Sequence, residues 1–174
     1  PLSAAPAVSV SDVLWHLEVF LDWKRRRELP GAVREAFDRP RAERVEALYR
    51  QLAGGGGLPA LEKLHAPAEE DLAACFLAGF PDRVGQVRAG RAGRRAVAGS
   101  ALDRIELALC QGGGARLSPG STVRDSRLLV AVAAEDNPSR GDAALSAEVR
   151  VAVGIEPELL LEARADFLKE SAET

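Results

Sequence analysis

The feature that most constrains this chain is a change of hydrophobic period near its middle. Up to about residue 80, apolar residues recur at helical spacing. Beyond "AGRAGR" at 89–94 they fall into short, partly alternating runs separated by Gly, Pro, Ser or Asn/Asp. A segment patterned for 3.6 residues per turn buries a stripe, whereas one patterned for two buries a face. The chain must therefore carry helices first and a small sheet after them.

In the helical part, "SVSDVLWHLEVFLDWKRRRELP" places Ser9 three residues before Asp12, a capping-box spacing. Val13, Leu14, Leu17, Phe20 and Leu21 follow along one face, and Pro30 closes the helix. "GAVREAFDRP" predicts a short helix, and "RAERVEALYRQLA" another with Val45, Leu48 and Leu52 on one face, ended by the glycines at 54–57. "HAPAEEDLAACFLAGF" has Pro67 near its first turn and three early acids, where the helix dipole favours them. That helix should reach Phe80, with "PDRVGQVR" adding a turn or two.

The later runs "RRAVAGS", "RIELALCQ", "ARLSP", "RLLVAVAA" and "ALSAEVRVAVGI" predict five short strands and hence a small closed or half-closed barrel. In the last of these, Val149, Val151 and Val153 should share one face, with Glu148, Arg150 and Ala152 on the other. After Pro157, "ELLLEARADFLKE" returns to helix. The expected fold is α+β. It has a helical bundle over 1–90, a five-stranded barrel resembling the oligonucleotide-binding (OB) type over 91–157, and a closing helix and tail over 158–174.

The glycines of "ALCQGGGARLSPGSTVRDSRLLVAV" raise the question of a phosphate-cradling loop. Such a loop needs Lys-Ser/Thr after the glycines at a helix N-terminus. Here no lysine follows and the next run reads as strand, so Gly112–Gly114 and Pro119-Gly120 are expected to be turns. His16 and His65 are the only histidines, and neither has a readable partner. Ser11, Ser118 and Ser146 lack the context that activates a nucleophile, and Asp82 and Asp103 lack a second carboxylate at a readable spacing. Cys75 and Cys110 sit far apart in apolar runs without a CxxC or Cys/His cluster, which predicts two buried, reduced thiols and no zinc. No catalytic, cofactor or metal site is expected.

Arginine carries the remaining signal. The net charge is -3, so whole-molecule electrostatics do not select a polyanion, but bases gather between Lys24 and Arg95 and acids after Glu135. "KRRRE" at 24–28 reads as a solvated helix end. "DRVGQVRAGRAGRR" differs, because Arg83, Arg88, Arg91, Arg94 and Arg95 stand among small residues with only Asp82 nearby. Guanidinium groups stay charged and grip two phosphate oxygens at once, and small neighbours let a polyanion approach. Joining helices to barrel, this segment could line a groove between them. Arg116, Arg124 and Arg127 would extend the surface along the barrel. Aromatic residues are only 5% of the chain and nearly absent from the strands, so base stacking on the sheet is not expected. Arg83 has a structural alternative, a salt bridge to Asp82 or another acid. The chain has no signal-peptide core, no run long enough to span a membrane and no methionine, which reads as a cytoplasmic piece of something longer.

Three stretches, "AACFLAGFPDRVGQVRAG", "GGGARLSPGSTVRDSRLLVAVAA" and "EVRVAVGIEPELL", resemble the C-terminal region of bacterial DEAH-box RNA helicases of the HrpB type. Phe80, Pro81, Asp82, Arg83 and Val84 match the family's aromatic-Pro-Asp-Arg-Ile/Val signature. Gly113 to Leu117, Leu128 to Ala133 and Val149 to Leu160 match the elements that follow. The segment 92–111 departs from the family's Arg-Tyr-Leu-Leu pattern. The resemblance covers roughly residues 70 to 162, and the helices before it fit the family's helicase-associated bundle by position. It implies a barrel beside a helical bundle over the RNA path of an ATP-driven motor. That motor, holding ATP and Mg, would lie N-terminal to Pro1, since neither a phosphate loop nor a DEAH box occurs here.

The expected function is thus a noncatalytic accessory region. It would contact the phosphate backbone of single-stranded RNA and pack on the motor domains of the same protein, with no membrane partner. The alternative is a protein-interaction module whose acidic closing helix and Ala/Leu faces dock on the motor or another protein without direct RNA contact. A contiguous apolar patch, with the arginines paired to acids, would favour that alternative. A small-molecule enzyme built on the barrel would need a pocket of convergent polar groups.

Overall fold

The computed structural model describes residues 9–25, 27–88, 105–136 and 147–164. It contains helices α1 (Asp12–Lys24), α2 (Gly31–Ala36), α3 (Arg39–Gly54), α4 (Glu69–Gly79) and α5 (Pro157–Arg164). Its strands are β1 (Val84–Val87), β2 (Glu106–Leu109), β3 (Gly114–Leu117), β4 (Leu128–Asp136) and β5 (Ala147–Ile155). The strands close into a barrel in the order β1-β2-β3-β5-β4. Neighbours are antiparallel except β3 and β5, which run parallel. The architecture is α+β, helices with a small five-stranded barrel and a short helix after it.

The β2–β3 turn answers the question the glycines raised. Gly112 and Gly113 both have positive φ (91° and 82°), which a side chain would resist, and Gly112 N–H donates to Leu109 O at 2.9 Å. A strand follows, so the glycines turn a hairpin. Pro119-Gly120 turns the chain again, with Ser121 N–H donating to Ser118 O at 3.0 Å.

Two apolar clusters hold the molecule. Leu107, Ala115, Leu117, Val123, Leu129, Ala131, Val149 and Ala152 fill the barrel. Outside it, Val84, Val130, Val153 and Ile155 meet Ala73 and Leu77 of α4, flanked by Phe76, Phe80, Leu159 and Leu160. The expected single face of Val149, Val151 and Val153 is therefore split. The β4–β5 ladder skips Val132 on one strand and Arg150 on the other. The extra residue at Arg150 reverses the inside–outside phase, so Ala152 joins Val149 in the barrel and Val153 turns to α4.

The barrel also begins earlier than the expected boundary at residue 91. Pro81–Arg83 forms one 3₁₀ turn, but Val84–Val87 is β1 and pairs with both β2 and β4. Gly85 allows that pairing, since a Cβ there would lie 3.3 Å from Leu109 Cδ2 and 3.5 Å from Leu129 Cδ1. Residues 88–105 thus connect β1 to β2 rather than helices to barrel. The predicted strand "RRAVAGS" lies outside the described residues, as does the chain beyond α5.

The start of α1 is bound to the barrel as well. Ser11, not Ser9, is the N-cap, its Oγ accepting from Leu14 N–H at 3.2 Å. Ser11 forms a bridge to Val153, and Gly154 N–H donates to Val10 O at 2.7 Å. Asp12, 2% exposed, turns inward. Its carboxylate accepts from Ser121 Oγ (2.8 Å), Thr122 Oγ1 (2.8 Å), Thr122 N–H (2.5 Å) and Ala152 N–H (2.8 Å).

The remaining helices are held more by polar contacts and rings. Lys24 bonds Glu46 at 2.7 Å, and Trp23 lies 5.5 Å from Phe37 and 5.8 Å from Phe20. The Lys24 hydrogen bond, with the neighbouring Arg50, holds the Glu46 carboxyl below its ordinary range. Among the described residues no helix is long and apolar enough to cross a membrane.

Candidate nucleic-acid interface

The arginines expected to form one surface do not all share a role. Arg83, exposed at the 3₁₀ turn, lies 5.0 Å over the Phe80 ring and donates from Nη1 to Val132 O at 3.3 Å. That is a cation–π and carbonyl contact. Among the described residues it has no ion pair with Asp82. Arg88 is exposed just past β1, and its N–H donates to Glu106 O at 2.9 Å. Arg127 is exposed just before β4, and its carbonyl accepts from Val87 N–H at 2.9 Å. Arg88 and Arg127 thus stand together at one end of the barrel, where the β1–β2 connection departs. Arg83 stands at the other end of β1, about 16 Å away at the rise of a strand. Arg91, Arg94 and Arg95 belong to that connection and lie outside the described residues.

Arg116 and Arg124 are engaged in the barrel. In register, Arg116 is opposite Glu106 on β2 and Glu148 on β5, and Glu148 is in turn opposite Glu135 on β4. Glu135 is bound by Arg150 at 2.9 Å. This rung carries more acids than bases, so the face of β2 and β3 offers a polyanion little net attraction. Arg124 closes the β3–β4 turn from within. Its Nε donates to Ser121 O at 3.0 Å, and Nη2 donates to Ser118 O at 3.4 Å and to Pro119 O. We expect Arg124→Ala to cost about 1–2 kcal/mol, roughly 2–8 °C in Tm. Thermal denaturation of the variant checks this; an unchanged Tm would mean that the three carbonyl contacts do not hold the turn.

The thiols are exposed rather than buried. Cys75 and Cys110 are both free and solvent-facing. Cys75 occupies the side of α4 away from buried Ala73 and Leu77, and Cys110, at the hairpin, approaches Asp82 O at 3.1 Å. Apolar neighbours in sequence had suggested burial, but the helix phase and the turn decide otherwise. His16 and His65 are exposed. Among the described residues no His, Cys, Asp and Glu side chains gather as a metal site.

Clefts open among the described residues. One of about 380 Å³ lies between α1, the start of α4 and the loop before β4, lined by Trp15, Glu18, Glu69, Asp125 and Ser126 among others. Another, about 760 Å³, opens between α1, α2 and α3 beside Trp23, Phe37 and Arg34.

The residue that sequence reasoning missed is Asp12, read there only as a capping acid. Its hydrogen-bond donors lie 109 to 140 residues away, so no local spacing announces it.

The fold and this geometry define a class, a small Greek-key barrel of five strands with helices on its outer face. No family model, curated protein or solved structure matches the chain.

Proposed function

We propose that this chain is a noncatalytic accessory module of an ATP-dependent RNA helicase of the DEAH-box, HrpB-like type that the sequence resembles. Its barrel contacts the RNA phosphate backbone through the arginines of the β1–β2 connection, and the module packs on motor domains that bind ATP and Mg. The observation that carries this reading is the strand order. It makes the run from Arg88 to Arg95 the connection between β1 and β2, the loop that such barrels turn toward oligonucleotides. The excess of acids on the face of β2 and β3 supports a contact at the loop end instead, near Arg88 and Arg127. Binding there is electrostatic and blind to sequence, since arginines displace counterions and the described strands carry no aromatic residue to stack bases. A cytoplasmic setting belongs to this reading.

The test is fluorescence anisotropy of a labelled single-stranded RNA titrated at several salt concentrations. Affinity should fall steeply with salt. Replacing Arg88, Arg91, Arg94 and Arg95 with Ala should weaken binding about tenfold or more at low salt and flatten the logarithmic salt slope by about 3. No binding by the parent chain at low salt would sink the RNA half of the proposal.

A second reading, a docking module without RNA contact, is favoured by one particular observation. Val45, Leu48 and Leu52 share a face of α3 as expected, but that face is bare, at 49%, 59% and 67% exposure. The closing helix, first choice for docking, instead spends Leu159 and Leu160 on the cluster with α4.

A further inference from the structure

Helix α3 is 16 residues long, yet Ala42 is its one buried residue among those described. Its largest aliphatic side chains, Val45, Leu48 and Leu52, stand at i, i+3 and i+7 in solvent. Helices of this length are marginal in water unless an apolar face is covered. The stripe continues toward the helix N-terminus into Arg41, four residues before Val45, with Arg44 four before Leu48 on the adjoining row. Both arginines are exposed. Their neighbours on the helix are already matched, Arg39 to Glu43 at 3.0 Å and Arg50 to Glu46. Among the described residues no carboxylate pairs with Arg41 or Arg44. Asp38 caps this end, its carboxylate accepting from Arg41 N–H at 2.9 Å, so one acid stands against the two arginine side chains. The face is thus apolar along two turns and net positive at one end, on the side away from the polar contacts with α1.

We propose that this face is the docking surface for an amphipathic helix whose apolar row ends in acidic residues. The apolar row covers Val45, Leu48 and Leu52, and the acids meet Arg41 and Arg44. Apolar burial supplies the affinity, and the two arginines set the register and orientation and select against basic helices. A second copy of the chain is a poor occupant. Parallel pairing would bring the Arg41 and Arg44 ends together, and antiparallel pairing would set them against Gln51 and the glycines after it, which carry no acid. The inference rests on the docking half of the function proposed above and is independent of its RNA half.

The probe is a labelled Ala/Leu amphipathic peptide of roughly 18 residues, long enough to span α3. It is made with glutamates at either end, and again with lysines in their place. The intact 174-residue chain is titrated with each. One glutamate version should bind at least about tenfold more tightly than its lysine counterpart. Leu48→Asp and, separately, Leu52→Asp should abolish binding with far-ultraviolet dichroism unchanged, since both side chains are more than half exposed. Arg41→Glu with Arg44→Glu should invert the peptide preference. Equal binding of both peptides, binding that ignores these variants, or no binding would overturn the inference. So would self-association of the chain that Leu48→Asp removes, which would make a second copy the occupant. RNA affinity measured on the same variants separates the two halves. It should not change, and loss of peptide binding with RNA binding intact removes this inference alone.

Discussion

Replacing Asp12 with Ala should cost about 3–5 kcal/mol of folding free energy and lower Tm by about 10 °C or more. The carboxylate is buried and receives four hydrogen bonds: two from hydroxyls, Ser121 and Thr122, and two from backbone, Thr122 and Ala152. A methyl group in its place leaves those donors out of water with nothing to bond, and that desolvation outweighs any gain from removing a charge. The same four bonds fasten the first turn of α1 to the β3–β4 loop and to β5, so their loss also loosens the helices from the barrel. Asp12→Asn should be intermediate. Its one oxygen can still accept, while its amide nitrogen must face a group that also donates. Asp125→Ala, at an exposed loop position, is the control and should shift stability by no more than about 0.5 kcal/mol. Chemical denaturation of the three variants is the measurement. A loss below about 1 kcal/mol in Asp12→Ala would mean that the clasp contributes little and that the apolar clusters alone join the two layers.

Gly154→Ala should be nearly as damaging, by about 2–3 kcal/mol, for a steric reason. Gly154 lies where the chain ahead of α1 crosses β5, its N–H donating to Val10 O at 2.7 Å. A Cβ there would sit 2.2 Å from Ser126 Oγ, 3.0 Å from Ser126 Cβ and 3.1 Å from Val10 O. The hydroxyl could rotate away, but the Ser126 Cβ and the Val10 carbonyl are tied to backbone. The double variant Gly154→Ala with Ser126→Gly removes both serine contacts and should recover more than half of the loss. Ser126→Gly alone should cost about 1 kcal/mol or less. A cycle of the two variants read by thermal melting gives the coupling directly. Additive losses would show that Val10, not Ser126, limits the approach. Full tolerance of alanine would mean that the segment before α1 is not held against β5.

The sequence by itself determined the layout of helices, then a small barrel, then a short helix, and located four of the barrel's five strands, β2 to β5. Those features are local. Caps, breakers and the change from a period of 3.6 to 2 act within a few residues, so "EEDLAACFLAG" reads as helix and "LLVAV" as strand without knowledge of their neighbours. The Gly112-Gly113 hairpin was equally legible, because the missing lysine and the strand after it are nearby in the chain. The row of Val45, Leu48 and Leu52 was legible as a row.

Only the tertiary structure decided what each surface faces. Val84–Val87 is four residues long and follows a helix, and what makes it a strand is pairing to Leu107–Leu109 and Leu128–Val130. The phase of β5 turned on one extra residue at Arg150, and a bulge leaves no mark on an alternating pattern. Arg124 and Arg83 are both arginines among small residues, but one holds three turn carbonyls and the other an aromatic ring. The α3 row carries the ordinary signature of a core, and nothing in it tells whether a core is there to receive it. Asp12 is the clearest case, since an acid in the first turn of a helix has a local reason to be there whether or not it is buried. Periodicity records which residues lie on one side of an element, but burial is a property of what the rest of the chain brings to that side.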